Sequence, residues 1–432
     1  MKIQREILDK LKIEALNPMQ EAALEAIAEK DEVILISPTG TGKTLAFLLP
    51  IIAELDPNEK GLQLLILAPS RELAIQIEQV AREMGSGYKI NAAYGGRKVS
   101  KDKLELTHTP SILVGTPGRI ADHIRRGTFE SESVKYLVLD EFDKSLEIGF
   151  EKEMQEIVEA LPGLKKKVLT SATFGVKVPR FVGLDNPQYL DFANSGKAKL
   201  TVKVIYSPTK DKLQMLGAAL RHLGDQSGIV FCSFRDSVRR VSEYLHQQDI
   251  AHSCFSGGME QRDRERSLIK FRNGTHQILL ATDLAARGID VPELDYIIHY
   301  HLPLKAEEFT HRNGRTARMN QEGAAYILHY SQDVLPPFVG KVNEEKLRPG
   351  SVKMYSDWQT LFVSGGRKDK ISKGDIAGLF FKQGQLKPDQ LGLIELKTDC
   401  AFVAVKSEEI HKLIEIVDQK RLKNKKVRVS LV

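Results

Sequence analysis

Ser37-Pro38-Thr39-Gly40-Thr41-Gly42-Lys43-Thr44 has the composition of a loop that closes around phosphate. Glycines let backbone N–H groups turn toward phosphate oxygens, and a helix starting just after adds partial positive charge. In such a loop Thr39, Gly40, Thr41 and Gly42 form the cradle, Lys43 reaches the β- and γ-phosphates, and the Thr44 hydroxyl binds Mg²⁺. Ser37 stands where the general pattern has its first glycine. A second segment, Asp140-Glu141-Phe142-Asp143, offers two acids. Asp140 suits a metal held partly through water, and Glu141 suits the orientation or deprotonation of an attacking water. A third, His311-Arg312-Asn313-Gly314-Arg315-Thr316-Ala317-Arg318, offers guanidinium groups from a distant part of the chain. Taken singly, these segments also read as a plain turn, a helix cap and a salt-bridged surface helix. Taken together, they describe a triphosphate shared between two halves of one polypeptide, as in a motor or a switch.

The elements around them fit. Val33–Ile36 is a short apolar run rich in branched residues, as expected of a buried parallel strand, and a helical pattern starts at Thr44. Tyr136–Leu139 is a second such strand, which puts Asp140 and Glu141 at its carboxyl end, where open parallel sheets bind ligands. Leu62–Ala68, Ile112–Val114 and Lys167–Thr170 complete a first strand series, with helical patterns between. Gly228–Cys232, Ile278–Ala281, Tyr296–Tyr300 and Ala324–Leu328 make a second. Alternating strands and helices predict two doubly wound parallel sheets, with residues 186–203 as the connection between them. The spacing of Arg315 and Arg318 places both on one side of a helical turn. Closing the second unit over the first would bring them to a γ-phosphate, where arginine fingers are worth about 10³- to 10⁵-fold in rate.

Composition excludes several classes. The 432 residues allow two or three domains, and 42% apolar with 28% charged residues is ordinary globular usage. No apolar run approaches the ~20 residues that span a bilayer, and the charged start Met1-Lys2-Ile3-Gln4-Arg5-Glu6 is not that of a signal peptide. Cys232, Cys254 and Cys400 lie far apart without metal-site spacing, which points to a reducing, cytoplasmic setting. The net charge of +6 is concentrated: residues 350–432 hold 16 Lys/Arg against 10 Asp/Glu. Lys420-Arg421-Leu422-Lys423-Asn424-Lys425-Lys426-Val427-Arg428 contains no acid, so a polyanion or a solubilising face is implied.

Residues 1–330 resemble the DEAD-box RNA helicases of superfamily 2 in a consistent order of motifs. Gln20, after Asn17-Pro18-Met19, is similar to the family's adenine-reading glutamine. Pro69, Arg71, Gly95, Gly96, Thr116, Gly118 and Arg119 match the RNA-backbone motifs of the first core domain. Ser171 and Thr173, in Ser171-Ala172-Thr173, match the segment that couples ATP state to RNA binding. Gln261, Arg264 and Thr282 match RNA-side positions of the second domain, where the resemblance also assigns Asp290 to the ribose and Arg315 and Arg318 as fingers. ATP and Mg²⁺ are the implied cofactors, and two tandem RecA-like domains the implied fold. Phosphate and sugar contacts of this kind position a strand without reading its sequence. Four departures stand out. Phe142 replaces the alanine that names the family, and Ile3 occupies the place of an aromatic that stacks on adenine. His301 stands where an aspartate is usual, and Asn313 where an apolar residue is usual.

The tail alternates in–out–in at Leu361-Phe362-Val363 and along Ala401–Val405, with helical patterns near 373–383 and 408–419 and strands near 391–397 and 426–431. That β-α-β-β-α-β order resembles an RNA-recognition module, with Phe362 and Phe402 facing outward on adjacent strands to stack on bases. The expected architecture is therefore α/β: a RecA-like domain over 1–190, a second over 201–332, a linker over 333–358, and an α+β RRM-like domain over 359–432. The whole resembles a bacterial subgroup of DEAD-box helicases whose tail binds ribosomal RNA. By that resemblance the chain is a monomeric ATP-dependent helicase that opens large-subunit ribosomal RNA in pre-ribosomal particles, with no membrane partner. An ATP-gated RNA clamp that does not unwind, and a related DNA helicase, remain the alternatives.

Overall fold

The protein is described from a computed structural model, covering every residue except 1, 39, 97–98, 173–176, 194–198, 284–290, 292–293, 317–321, 351–355, 407 and 409. Thr39, Thr173, Asp290 and Arg318, named above, lie outside the described residues. The body of one compact unit runs to Lys197, and that of a second begins at Ala198.

In the first unit seven parallel strands line up as β3-β4-β2-β5-β6-β1-β7. They are β1 (Glu32–Ile36), β2 (Leu64–Leu67), β3 (Ile90–Ala93), β4 (Ile112–Gly115), β5 (Tyr136–Leu139), β6 (Lys166–Ser171) and β7 (Gln188–Asp191). Successive side chains point to opposite faces, so Val33 and Leu35 enter one apolar layer while Ile34 and Ile36 enter another. Burial on both faces explains why the central strands read as unbroken apolar runs.

In the second unit the order β10-β11-β9-β12-β13-β8-β14 repeats that plan strand for strand. The strands are β8 (Lys199–Ser207), β9 (Gly228–Phe231), β10 (Ser253–Phe255), β11 (Ile278–Ala281), β12 (Tyr296–His299), β13 (Glu322–Tyr330) and β14 (Asn343–Glu344). Two stretches expected as connections are partly strand. β7 and the start of β8 fall within 186–203, and β14 falls within 333–358. Both β7 and β14 are short edge strands with mostly exposed residues, so they carry no apolar signature.

The same unit ends in a four-stranded antiparallel sheet, β16-β17-β15-β20, built from β15 (Trp358–Val363), β16 (Leu391–Leu396), β17 (Ala401–Lys406) and β20 (Val429–Leu431). Helices Lys373–Lys382 and Ile410–Val417 pack on one face, around Leu361, Val363, Val403 and Val405. A small hairpin of β18 (Arg421–Leu422) and β19 (Lys425–Lys426) is added before β20. No described helix is long and apolar enough to cross a membrane.

Candidate functional site

β1 ends at Ile36, and the loop that follows is shaped by two glycines with positive φ, Gly40 and Gly42, both at +86°. Gly42 also has no room for a side chain, since a Cβ there would lie 2.4 Å from Gln20 Nε2. Helix Lys43–Glu54 starts at once, so the Lys43 ammonium and the Thr44 hydroxyl sit at its N-terminus. Lys43 is 7% exposed and donates to the Ser37 carbonyl at 2.6 Å and to the Pro38 carbonyl at 3.3 Å. Thr41 Oγ1 donates to the Pro38 carbonyl and pairs with the Ser37 hydroxyl, closing the loop on itself.

Helix Pro18–Glu29 braces this loop from the side. Asn17 and Gln20 form a reciprocal cap, Gln20 N–H to Asn17 Oδ1 and Asn17 N–H to Gln20 Oε1. Their remaining amide groups reach the loop: Asn17 Nδ2 donates to the Thr41 carbonyl and Gln20 Nε2 to the Gly42 carbonyl.

Asp140 and Glu141 follow β5, and the neighbouring β6 ties them to the loop. Thr170 Oγ1 donates to Asp140 Oδ1 at 2.5 Å and accepts the Glu141 N–H at 3.0 Å. One residue later, the Ser171 carbonyl accepts the Ser37 N–H at 3.0 Å. Burial pushes the Asp140 carboxyl up to about 6, helped by the Glu141 charge and opposed by Thr170 and Lys43. Glu141 takes φ +46°, a left-handed conformation that is uncommon for a side-chain-bearing residue and clusters at functional sites. Thr170 was not among the candidate residues. The signal for it was available, since it stands one position before Ser171-Ala172-Thr173. Phe142 is 3% exposed and fills the apolar layer under this edge.

Along the carboxyl ends of β2, β3 and β4 stand the phosphate-type motifs of the first unit. Buried Pro69 and half-buried Ser70 lead into helix Arg71–Glu83, which the Ser70 hydroxyl caps. The Arg71 guanidinium lies over Gly95 and Gly96, where a Cβ on Gly96 would come within 2.5 Å of Nη1. Thr116 is the N-cap of helix Pro117–Arg125, which contains Gly118 and Arg119. Arg119 Nε donates to the Tyr94 carbonyl and lies 3.6 Å from Asp102, which in turn meets His123.

In the second unit, Gln261 opens helix Gln261–Arg272 and the Arg264 guanidinium sits 4.8 Å over the Phe255 ring. The Thr282 N–H reaches the Phe255 carbonyl. Helix Ala306–Asn313 ends before Arg315, which occupies the following turn and is 8% exposed. The expected continuation of a helical turn through 315 is therefore corrected: Gly314 caps the helix. Arg312 is a strut, making a two-point pair with Asp283 and donating to the His301 carbonyl. Two of the departures are structural. Asn313 Oδ1 accepts from Nε2 of buried His299 at 2.9 Å. Burial, then Arg312, hold His299 down to about 3, while burial and Lys212 hold His301 down to about 4.

Phe362 and Phe402 are register partners, with ring centroids 5.7 Å apart at 64°. The face they share is not open, however, because Phe402 is only 7% exposed. Glu395, paired with Phe402 on the adjacent strand, takes the Arg272 guanidinium at 2.7 and 2.8 Å. Thr360 meets Thr275 at 2.7 Å and the Asn273 amide at 3.2 Å, and Trp358 lies against Gly274. The expectation of two rings free for bases is corrected at Phe402: alternation says which residues share a face, not what covers it. The module's exposed cations lie elsewhere. Ion pairs Lys425–Asp369 and Lys423–Asp375 set the β18–β19 hairpin beside residues 367–375. Lys368, Lys370, Lys373, Arg421, Lys423 and Lys426 are all exposed there.

Three families match parts of the chain: DEAD/DEAH box helicase over residues 17–181, Helicase conserved C-terminal domain over 211–320, and DbpA RNA binding domain over 360–431. The ATP-dependent RNA helicase DbpA of Bacillus subtilis is 29% identical, over 95% of this chain and 94% of that protein. The ATP-dependent RNA helicase eIF4A of Neosartorya fischeri is 34% identical, over 73% of this chain and 81% of that protein. Among solved structures, Dbp5 of S. cerevisiae bound to RNA and ADP BeF3 aligns with a TM-score of 0.69 at 26% identity, covering 77% of this chain and 88% of that one.

Proposed function

The chain belongs to the DEAD-box ATP-dependent RNA helicases, in their DbpA-type branch, and on that premise we propose how its residues divide the work and which RNA they serve. It is an RNA-stimulated ATPase and helicase, splitting ATP to ADP and phosphate as RNA structure is opened. The observation that carries the assignment of roles is the bridge made by β6. Thr170 holds the acid pair and Ser171 holds the start of the phosphate loop, so two adjacent residues join both halves of the site.

The donor set fits a nucleotide with Mg²⁺. A lysine and a hydroxyl at a helix N-terminus face phosphate, and a few oxygen ligands suit a metal that keeps most of its waters. When bound, Mg²⁺ would neutralise charge building on the phosphates. Lys43 would hold the β- and γ-phosphates, Thr44 and Asp140 would hold the metal, partly through water, and Glu141 would orient the attacking water and take its proton. Gln20 reads the adenine, and Arg315 with Arg318 stabilises the transferring phosphoryl group in the closed state of the cycle. Ser171 and Thr173 pass the nucleotide state to the RNA side. Asp290 meets the ribose.

RNA runs along the carboxyl ends of β2–β4 and β9–β11, held through its backbone by Arg71, Gly95, Gly96, Thr116, Gly118, Arg119, Gln261, Arg264 and Thr282. The preferred RNA is large-subunit ribosomal RNA in assembling particles, met in the cytoplasm by a monomer. Support comes from the match to the DbpA RNA binding domain and from the exposed cations around the β18–β19 hairpin. ATPase rates with no nucleic acid, poly-RNA, matched DNA and ribosomal RNA test this. Preferential stimulation by ribosomal RNA, lost in Lys423→Glu/Lys426→Glu, is expected. Equal stimulation by every RNA would leave a helicase without that target.

A further inference from the structure

Two buried polar side chains of the first unit belong to no motif used so far. Asp102 sits on helix Val99–Leu106, which follows the Gly95–Gly96 turn, and His123 sits on helix Pro117–Arg125. Their side chains are 1% and 0% exposed, and Asp102 Oδ2 meets His123 Nε2 at 3.3 Å. A carboxylate only accepts, so a neutral ring carries its proton on Nε2 and takes the Thr128 hydroxyl on Nδ1, also at 3.3 Å. Burying a carboxylate is costly unless it is paired. Apolar residues would join the two helices without that cost, so the pair calls for a use beyond packing.

What the pair touches supplies that use. His123 follows Arg119 by four positions, which puts both on one helix face. The same Asp102 Oδ2 lies 3.6 Å from Arg119 Nε, and Nε itself donates to the Tyr94 carbonyl at 3.2 Å. Tyr94 immediately precedes the glycine turn over which the Arg71 guanidinium lies. One turn is therefore gripped by two arginines, and the Nε edge of Arg119 is set between a carbonyl and a carboxylate. Because a guanidinium is planar and rigid, fixing that edge fixes the direction of its terminal nitrogens.

We propose that Asp102, braced by His123, is a positioning residue for RNA: it aims the Arg119 guanidinium at a backbone phosphate before the strand arrives. This rests on the reading of Arg119 as an RNA-backbone contact. Asp102 and His123 act through Arg119 and do not touch the strand. Ordering one long side chain in advance is worth about two- to tenfold in affinity. Charge alone predicts the opposite sign. A carboxylate beneath a phosphate path repels the strand, so removing it would tighten binding. Position and charge are thus separated by the direction of a single substitution.

The test uses the full chain and reads the RNA concentration for half-maximal ATPase separately from the rate at saturating RNA. Asp102→Leu raises that concentration about two- to tenfold and changes the saturated rate less. Asp102→Asn, equal in size, keeps an oxygen for the His123 N–H and shows a smaller effect of the same sign. Arg119→Ala is the reference: it weakens RNA activation and lowers the salt slope by about 0.7. Asp102→Leu keeps the slope, because the phosphate contact still forms. In the double variant Arg119→Ala/Asp102→Leu, the second substitution adds less than about twofold, since no guanidinium is left to position. Tighter or unchanged RNA activation in both Asp102 variants, or effects that multiply in the double variant, overturn the proposal while the RNA edge stands. If Arg119→Ala is itself without effect, the reading of the edge fails and the proposal with it.

Discussion

The Arg272 guanidinium and the Glu395 carboxylate, 123 residues apart, meet as a two-point pair at 2.7 and 2.8 Å, with Glu395 only 5% exposed. This pair fastens the tail module to the end of the helix whose start carries Gln261 and Arg264. Removing one partner of a buried pair leaves an uncompensated charge, at a cost of about 3 kcal/mol or more. Arg272→Ala is expected to loosen docking, seen as faster hydrogen exchange at Thr360 and Asn273. The double swap Arg272→Glu/Glu395→Arg should recover part of it, and additive single and double effects would refute the coupling.

The same pair gives docking a pH dependence. Burial alone would raise the Glu395 carboxyl, but Arg272 and Lys397 outweigh it and hold the group below the usual glutamate range. A depressed folded value means the stabilisation is present above the unfolded value, near 4.3, and is lost as pH falls through the folded one. Melting curves between pH 7 and pH 3 should therefore lose stability more steeply for the original chain than for Glu395→Gln over that window. Identical slopes would remove Glu395 from the account.

Thr170 bridges Asp140 and Glu141 through one hydroxyl. Thr170→Val keeps the shape and removes both hydrogen bonds. With one bond to a charged group worth about 1.5–3 kcal/mol, RNA-saturated kcat should fall roughly ten- to hundredfold, with a smaller change in the KM for ATP. An unchanged kcat would show that the acid pair needs no such anchor.

Lys43→Ala and Glu141→Gln should each abolish turnover, but by different routes. Lys43→Ala removes phosphate binding, so ATP no longer strengthens the hold on RNA. Glu141→Gln keeps the site's shape without its base, and RNA bound with ATP should persist as a long-lived clamp. Filter binding with and without ATP separates the two.

Much of this site is legible in the chain itself. β5 spans Tyr136–Leu139 as its apolar run indicates, and β1 extends the expected strand by one residue, because strands buried on both faces write themselves as continuous runs. The loop and the acid pair stand at the ends of those runs, whereas the strand order, and the short strands β3 and β10, do not follow from them. What alternation and spacing do not contain is partnership over long separations. Nothing local marks Glu395 as the mate of Arg272, so Phe402 reads as free when its face is covered. β8 shows a different loss: of Lys199–Ser207, the part that falls within the expected connection has no buried residue from 200 to 203, and the buried apolar positions begin only at Val204. Asn313 looks like a flaw in a motif until His299 appears beneath it.

With its sheet face pressed onto Arg272, Asn273 and Thr275, the tail has little freedom to swing. Held in that way it would act as a ruler and not as a leash. RNA held on the proposed edge of the second unit would then lie at a set span from the tail's exposed cations, so which duplexes are opened would depend on how the RNA is built between the two points. Lengthening that intervening RNA by a few base pairs would carry the same duplex around the helix and out of register, with every contact residue unchanged.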